Sequence, residues 1–552
     1  MKKEIILTTL NSKFVHSNLS LYYLLEGVKK YTEFDCTIIE GTINENIELF
    51  ALKILDYKPK IVGLSCYIWN ITKTIELINI LKNSDPSIII ILGGPEVSFN
   101  SYDVLNNNSN VNYIISGKGE LAFPNLLKAI INNTSLNNIS GLTYKENNII
   151  YQNKQIPYLD YLNPYSETYM NNINGRITYF EASRGCPFTC AFCLSGKDDN
   201  PYYFDLEDTF NNLIKLSNSS TSTIKFVDRT FNAHIKRCNE ILKFIIHDER
   251  VNKDVTYHFE IAGDLINQEF IDIIKKAPVG LIQFEIGLQT FNEKTLTEID
   301  RKTNIKVLVN NIKKLLEVNK THVHIDLIAG LPYEDLESFK KSFNIAYDLK
   351  SHMLQLGFLK LIHGSKLMDE NVKYFKSFDS KPPYEIIETN WLSKQDLKVI
   401  HRVEDILERM LNSHRFTVTF DYLLTKTKLT PFDLLTHLSH NLTYNYDISL
   451  DDFTRLLYNY DPDLRDVLVI DRLASNKTGK LIKELKVEFK SLKRYRLAFN
   501  KITPEIKNVK RGFEYIVSLN KLVYVDYINS DLITNRYQVN YLSIDDLDIS
   551  KV

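Results

Sequence analysis

The chain has 552 residues, 44% of them hydrophobic, with 67 basic against 68 acidic side chains and a net charge of −1. That length allows three or four domains at about 150 residues each, and the balanced charge excludes a chain-wide field for nucleic acid or an anionic membrane. Apolar runs such as IIIIL at 88–92 are too short to span a bilayer. MKKEIILTTLNSKF has neither the h-region nor the cleavage site of a secretory signal and reads as a first strand. Of six cysteines, Cys36, Cys66 and Cys238 are scattered and three are clustered, which is no disulfide framework and points to a reducing cytosol.

Residues 1–135 alternate short apolar runs with amphipathic stretches such as 19–30 and 71–82. The runs are EIILTTL (4–10), CTIIE (36–40), IVGLS (61–65), IIIILGG (88–94) and NYIISG (112–117). This alternation predicts an open parallel α/β sheet whose strands are buried on both faces. Such sheets bind ligands at the carboxyl ends of their strands. Those ends read TTLNSKFVHS, SCYIWN, GGPEVS and SGKGE, small or polar enough for a large ligand lying across the sheet edge.

Residues 136–172 read as a surface linker with a hairpin around GLTYKENNIIYQN. A second βα series fills 173–372: RITYFEASRGC, TIKFVDRTFN, TYHFEIAGD, GLIQFEIGLQT, THVHIDLIAGLP and SHMLQLGFLKLIHGS. Six strands with helices between them fit a partial (β/α)6 barrel, whose functional residues belong at the carboxyl ends of the strands. Asp228 and Asn232 end one such strand and either face the substrate or shape a turn. Residues 373–552 form a mostly helical C-terminal domain with one strand-like piece, KLVYVDYIN, and no motif that carries chemistry.

The loop SRGCPFTCAFC holds Cys186, Cys190 and Cys193 in C-x3-C-x2-C spacing. Thiolates suit zinc or iron–sulfur clusters. A structural zinc site wants four ligands, usually in two separated pairs, and no second pair follows. A 4Fe–4S cluster on three cysteines leaves one iron open. A zinc site completed by a distant residue, or three buried structural cysteines, are the alternatives.

C-x3-C-x-aromatic-C after the first barrel strand, with Phe192 as the aromatic, resembles the signature of the radical S-adenosylmethionine enzymes. The resemblance implies that the open iron chelates the amino and carboxylate groups of S-adenosylmethionine, which is then cleaved reductively to a 5′-deoxyadenosyl radical, with Phe192 among the contacts. FEIAGD, IGLQTFN, DRK and IDLIAGLP look like the corresponding stretches of oxygen-independent coproporphyrinogen oxidase. By that likeness Glu260 and Arg301 hold the methionine part, while Gln289 and Asp326 contact the ribose. An arginine fork suits a carboxylate. The alternative for any one of them is an exposed surface charge, or for Asp326 a helix or turn cap.

A flavodoxin-like doubly wound sheet directly before such a barrel resembles the cobalamin-binding members of that superfamily, and the whole chain resembles a bacterial group of them with a C-terminal domain of unassigned function. The resemblance implies that Gly93, Gly94, Pro95 and Glu96 of GGPEVS, Gly117 and Gly119 of SGKGE, and Ser65 line the corrinoid and its nucleotide tail. Many cobalamin proteins carry D-x-H-x-x-G after the first strand. Here LNSKFVHSNLS has His16 without the Asp or the Gly, which leaves His16 as a hydrogen-bonding residue, a surface residue or a cobalt ligand.

The cofactors implied are a 4Fe–4S cluster, S-adenosylmethionine and cobalamin. The implied reaction is methyl transfer from methylcobalamin to an unreactive carbon or phosphorus centre of a small-molecule or other substrate. A rearrangement or cyclisation is the alternative, and a corrinoid or redox sensor a further one. The implied setting is an anoxic cytoplasm with a ferredoxin- or flavodoxin-type electron donor and neither membrane nor nucleic acid as partner.

Overall fold

The computed structural model describes residues 5–156, 161–197, 201–487, 492–502 and 512–547. Two compact units make up the chain. One comprises Met1–Gln283, Leu296–Asn304 and Phe358–Asn390; the other comprises Phe284–Thr295, Ile305–Gly357 and Trp391–Val552.

The first unit begins with β1 (Ile5–Asn11), α1 (Leu19–Tyr31), β2 (Cys36–Thr42), α2 (Ile47–Leu55), β3 (Ile61–Ser65), α3 (Ile71–Ser84), β4 (Ile89–Gly93), α4 (Pro95–Ser98), α5 (Ser101–Asn107), β5 (Tyr113–Ile115) and α6 (Gly119–Asn132). The five strands run parallel in the order β2-β1-β3-β4-β5, as the apolar runs predict. Period-two alternation divides their side chains between two cores. Ile6, Val62 and Ile90 pack with Phe50 and Leu77 of α2 and α3. Ile5, Leu7, Ile61 and Ile91 pack with Leu25 and Phe123 of α1 and α6. Both faces are thus covered, and only the strand ends are left for chemistry.

The segment expected to be a linker starts as part of this sheet. Its hairpin, β6 (Leu142–Glu146) and β7 (Ile149–Gln152), adds antiparallel to β5. The reason lies in Leu142 and Tyr144, whose buried side chains join the α1/α6 core.

Beyond it come β8 (Thr178–Phe180), the short β9 (Ser183–Arg184) and β10 (Tyr202–Tyr203), then β11 (Thr223–Phe226) and β12 (Thr256–Ile261). β8, β11 and β12 are parallel neighbours, and Phe180, Phe226 and Phe259 meet in sequence, edge-on and then tilted, with ring centroids 4.9 and 4.4 Å apart. β13 (Ile282–Gln289) starts in this unit.

In the second unit β13, β14 (His322–Ala329) and β15 (Met353–Phe358) lie in the order β15-β14-β13. All six barrel strands fall on the six predicted runs, with helices between them. The hairpin β16 (Phe375–Phe378) and β17 (Ile386–Thr389) belongs to the first unit.

From Lys394 onward the chain is mostly helical and closes with an antiparallel sheet of β18 (Phe513–Ile516), β19 (Lys521–Tyr524) and β20 (Asn540–Ser543). The strand-like KLVYVDYIN supplies β19. Asp471 organises this region. Its buried carboxylate accepts the Val418 and Thr419 N–H groups at 3.2 and 2.7 Å, the Thr419 hydroxyl at 2.7 Å and Arg536 Nη2 at 2.8 Å. The two N–H groups belong to the first turn of helix Thr417–Thr427, where helix donors have no internal partner. Asp471→Ala strands Arg536 and these donors, and we expect a loss of about 3–5 kcal/mol in urea unfolding; a change within error of wild type would contradict this role.

Candidate functional site

The three clustered thiols lie on the loop that leaves β8, and a dense set of contacts fixes that loop. Ser183 and Arg184 pair antiparallel with Tyr203 and Tyr202. The Ala191 N–H donates to the Ile299 carbonyl at 2.9 Å, and the Ala191 carbonyl accepts the Leu367 N–H at 3.0 Å. All three cysteines are free and half-buried.

Each sulfur meets one polar partner. Arg301 Nη1 donates to Cys190 Sγ at 3.7 Å, and the Ser195 N–H donates to Cys193 Sγ at 3.4 Å. Cys186 Sγ lies 3.4 Å from the Thr230 hydroxyl. Burial pushes the Cys190 thiol up, and the Arg301 guanidinium opposes this. Donors aimed at sulfur suit metal-bound thiolates. Among the described residues no three His, Cys, Asp or Glu side chains converge on one ion. A cluster does not require that, because each thiolate takes its own iron. The three thiols, two of them with a donor aimed at the sulfur, therefore fit a 4Fe–4S cluster. Phe192 lies between Cys190 and Cys193, half-buried.

The VDRTFN stretch after β11 holds this loop and the end of the next strand together. The Ala182 N–H and Ser183 hydroxyl donate to the Asp228 carboxylate at 2.9 and 2.5 Å. Asn232 forms a reciprocal pair with Ala262, its amide donating to the carbonyl and its oxygen accepting the N–H, both at 2.8 Å. Ala262 lies two residues beyond Glu260, which is half-buried near the end of β12. Both Asp228 and Asn232 are buried. Of the two expectations for them, the turn-shaping one describes what their side chains do. Burial pushes the Asp228 carboxyl up to about 7 against the pull of its donors.

Gln289 and Asp326 lie in the second unit. Gln289 ends β13 with φ +68°, a left-handed conformation uncommon for a residue with a Cβ. Its buried Oε1 has no hydrogen-bond partner. A strained strand end with an orphaned acceptor fits a ligand that brings its own donor, as a ribose hydroxyl does. Asp326 Oδ1 lies 2.8 Å from Nε2 of His324, two residues earlier on the same face of β14.

The residue after Gln289 is tied down. Thr290 donates to Glu334 Oε1 at 2.5 Å, and Ser342 reaches the same oxygen at 3.2 Å. Glu334 is fully buried, and Oε2 has no partner.

At the carboxyl ends of the first sheet, the residues expected to line a corrinoid have diverse partners. Ser65 is buried with its hydroxyl 3.1 Å from that of Ser20. Gly94 has φ +104°, and a Cβ there would lie 2.5 Å from the Cys66 carbonyl oxygen. Its freedom thus serves a close approach to the neighbouring strand. Gly93 ends β4 and Pro95 is exposed. Glu96 is buried and accepts a hydrogen bond from the Tyr384 hydroxyl. Gly117 and Gly119 flank the start of α6, and the hydroxyl of buried Ser116 just before them has no partner. Phe14, Trp69 and Phe99, on the loops after β1, β3 and β4, are 66%, 49% and 44% exposed. An aromatic edge with an orphaned hydroxyl fits a broad, partly apolar ligand such as a corrinoid. His16 Nδ1 lies 2.7 Å from the Tyr179 hydroxyl, and burial with nearby Lys13 and Lys225 lowers the pKa of the ring.

Arg184, Glu181 and Glu120 are joined by charge. Arg184 stands two residues before Cys186 and Glu120 directly after Gly119, and opposite charge is the one signal the sequence carries for their pairing. His324, Glu334 and Tyr384 carried none, since nothing local marks them. Among the described residues no helix is long and apolar enough to cross a membrane.

Comparison with known proteins matches three family models: the B12 binding domain over 5–127, the radical SAM superfamily over 180–346, and a family of unknown function, DUF4080, over 372–543. The uncharacterized methyltransferase PH0819 of Pyrococcus horikoshii is 24% identical over 365 residues, 64% of this chain and 77% of that protein. The anaerobic magnesium-protoporphyrin IX monomethyl ester cyclase of Rubrivivax gelatinosus is 24% identical over 320 residues, 54% of this chain and 56% of that protein. In fold the chain is similar to the cobalamin-dependent S-adenosylmethionine radical enzyme OxsB, solved with aqua-cobalamin and S-adenosylmethionine bound, with a TM-score of 0.61 at 15% identity over 85% of this chain and 78% of that one.

Two outcomes test this site. Cys186→Ala, Cys190→Ala and Cys193→Ala are each expected to abolish the cluster spectrum after anaerobic reconstitution, and any one variant with a normal cluster refutes the ligand set. Burial raises the Glu334 carboxyl from 4.5 to about 7, so the folded chain holds that proton more tightly than the unfolded one. Its contribution is complete below about 4.5 and lost as pH rises through about 7. We expect Glu334→Gln to remove a fall in unfolding free energy of about 3 kcal/mol across that window; equal pH slopes for wild type and variant would contradict it.

Proposed function

We propose that this chain, which belongs to the cobalamin-binding radical S-adenosylmethionine proteins, is an enzyme that transfers a methyl group through cobalamin to an unreactive carbon or phosphorus centre. When bound, the cluster, S-adenosylmethionine and cobalamin would supply a 5′-deoxyadenosyl radical and a transferable methyl group. The observation that carries the reading is the cysteine loop with a polar partner at each sulfur, in the same unit as a sheet with an aromatic carboxyl edge.

The chain's own residues have the following parts in this reading. Cys186, Cys190 and Cys193 hold the cluster. Arg301 supports the Cys190 thiolate, and it shares the methionine part of S-adenosylmethionine with Glu260. Gln289 offers its orphaned oxygen to a ribose hydroxyl, and Asp326, oriented by His324, takes another. Phe192 packs beside the cofactor. The strand-end stretches with Ser65, Gly93, Gly94, Pro95, Gly117 and Gly119 border the corrinoid. Glu96 acts there through Tyr384, and His16 holds the loop after β1 against Tyr179 rather than binding cobalt. A low-potential ferredoxin- or flavodoxin-type protein delivers the electron in an anoxic cytoplasm.

A second reading, radical-driven cyclisation without methylation, is favoured by the likeness to the ester cyclase. Product stoichiometry separates the two. In an anaerobic reaction with a metabolite extract, methylation yields S-adenosylhomocysteine together with 5′-deoxyadenosine, and label from methyl-labelled S-adenosylmethionine enters a new product. 5′-Deoxyadenosine alone supports cyclisation. No cleavage under several reductants sinks both readings and leaves a sensor.

A further inference from the structure

Arg184 stands two residues before Cys186 and holds three hydrogen bonds to two carboxylates. Its Nε and Nη2 grip Glu181 Oε1 and Oε2 at 3.0 and 2.8 Å, and its Nη1 donates to Glu120 Oε1 at 2.5 Å. The ring of Tyr23 from α1 lies against the guanidinium, 4.8 Å from the centroid. Glu181 belongs to the same loop as Arg184. Glu120 belongs to the first turn of α6, directly after Gly119. The carbonyl of Glu120 is pressed against α1, where a Cβ on Gly27 would lie 2.2 Å from its oxygen. One rigid helix pair thus fixes both the backbone of Glu120 and the face on which Arg184 rests.

We infer that Arg184, Glu120 and Glu181 are positioning residues that couple the cluster loop to the SGKGE stretch, so that cobalamin on that stretch tightens S-adenosylmethionine binding. The bidentate Arg184–Glu181 pair keeps the arginine charge-compensated whether or not Glu120 engages. The bond to Glu120 is therefore the separable one: Arg184 is either latched to Glu120 or released from it, while Asp228 keeps the root of the loop in place. A ligand that holds the start of α6 favours the latched state and with it the geometry of Cys186, two residues on. By linkage, S-adenosylmethionine tightens cobalamin binding by the same factor. This rests on the reading that cobalamin meets the SGKGE stretch.

The test uses the full chain, anaerobically reconstituted, with S-adenosylmethionine affinity measured by its effect on the spectrum of the reduced cluster, with and without saturating hydroxocobalamin. In wild type we expect hydroxocobalamin to tighten that affinity roughly five-fold or more. In Glu120→Gln, which keeps an acceptor but loses the charge of the latch, the ratio falls toward one, while iron and sulfide content stay at wild-type level. Arg184→Lys, which keeps the charge but lacks the fork, falls between. An undiminished ratio in Glu120→Gln overturns the inference, as does a wild-type ratio of one with corrinoid bound. Loss of the cluster in both variants overturns it in favour of a purely structural pair. Wild type that binds no corrinoid overturns it together with the cobalamin reading, which distinguishes the two failures.

Discussion

Three thiols on the eight residues 186–193 act as one ligand set only if the backbone that carries them cannot move, and buried Asp228 supplies that constraint at the root of the loop. Its carboxylate takes the Ala182 N–H and the Ser183 hydroxyl, three to four residues before the first cysteine. A buried carboxylate is costly unless its oxygens are satisfied, so the structure keeps it only where those donors are in place. The cost and the geometry enforce each other.

The same economy recurs along the strand ends. Asn232 closes the Ala262 backbone into a two-bond pair, which sets the exit of β12 beyond Glu260. In the second unit Glu334 binds Thr290 directly after the strained Gln289. In each case a buried side chain fixes the backbone near a residue proposed to meet the cofactor or the cluster. This is how barrel sites reach precision when the functional groups come from several different strands.

Charge joins the cluster loop to the first sheet. Arg184 is the one side chain of the SRGC run that leaves its own loop for Glu120. Its two carboxylates and the Tyr23 face are a mostly buried setting in which electrostatic contacts are screened little by salt. A contact of this kind carries position from one loop to another without any moving domain.

Much of the architecture was legible in the sequence because it rests on local patterns. Fully apolar runs with helical spacing between them marked the parallel strands, since a strand covered on both faces has no polar side to alternate with. Cys186, Cys190 and Cys193 were legible because thiolate spacing is a short-range property. The hairpin β6–β7 is legible as a hairpin but not as part of the sheet, because its pairing partner, β5, lies about thirty residues away. The same limit hid the partners of Asp228, Asn232 and Arg184, whose bonds span 46, 30 and 64 residues. The sequence alone therefore determined the fold class and the spacing of the three cysteines proposed to hold the cluster. Which carboxylate restrains which loop was decided by the tertiary structure, because a hydrogen bond between distant residues leaves no periodicity in the chain that makes it.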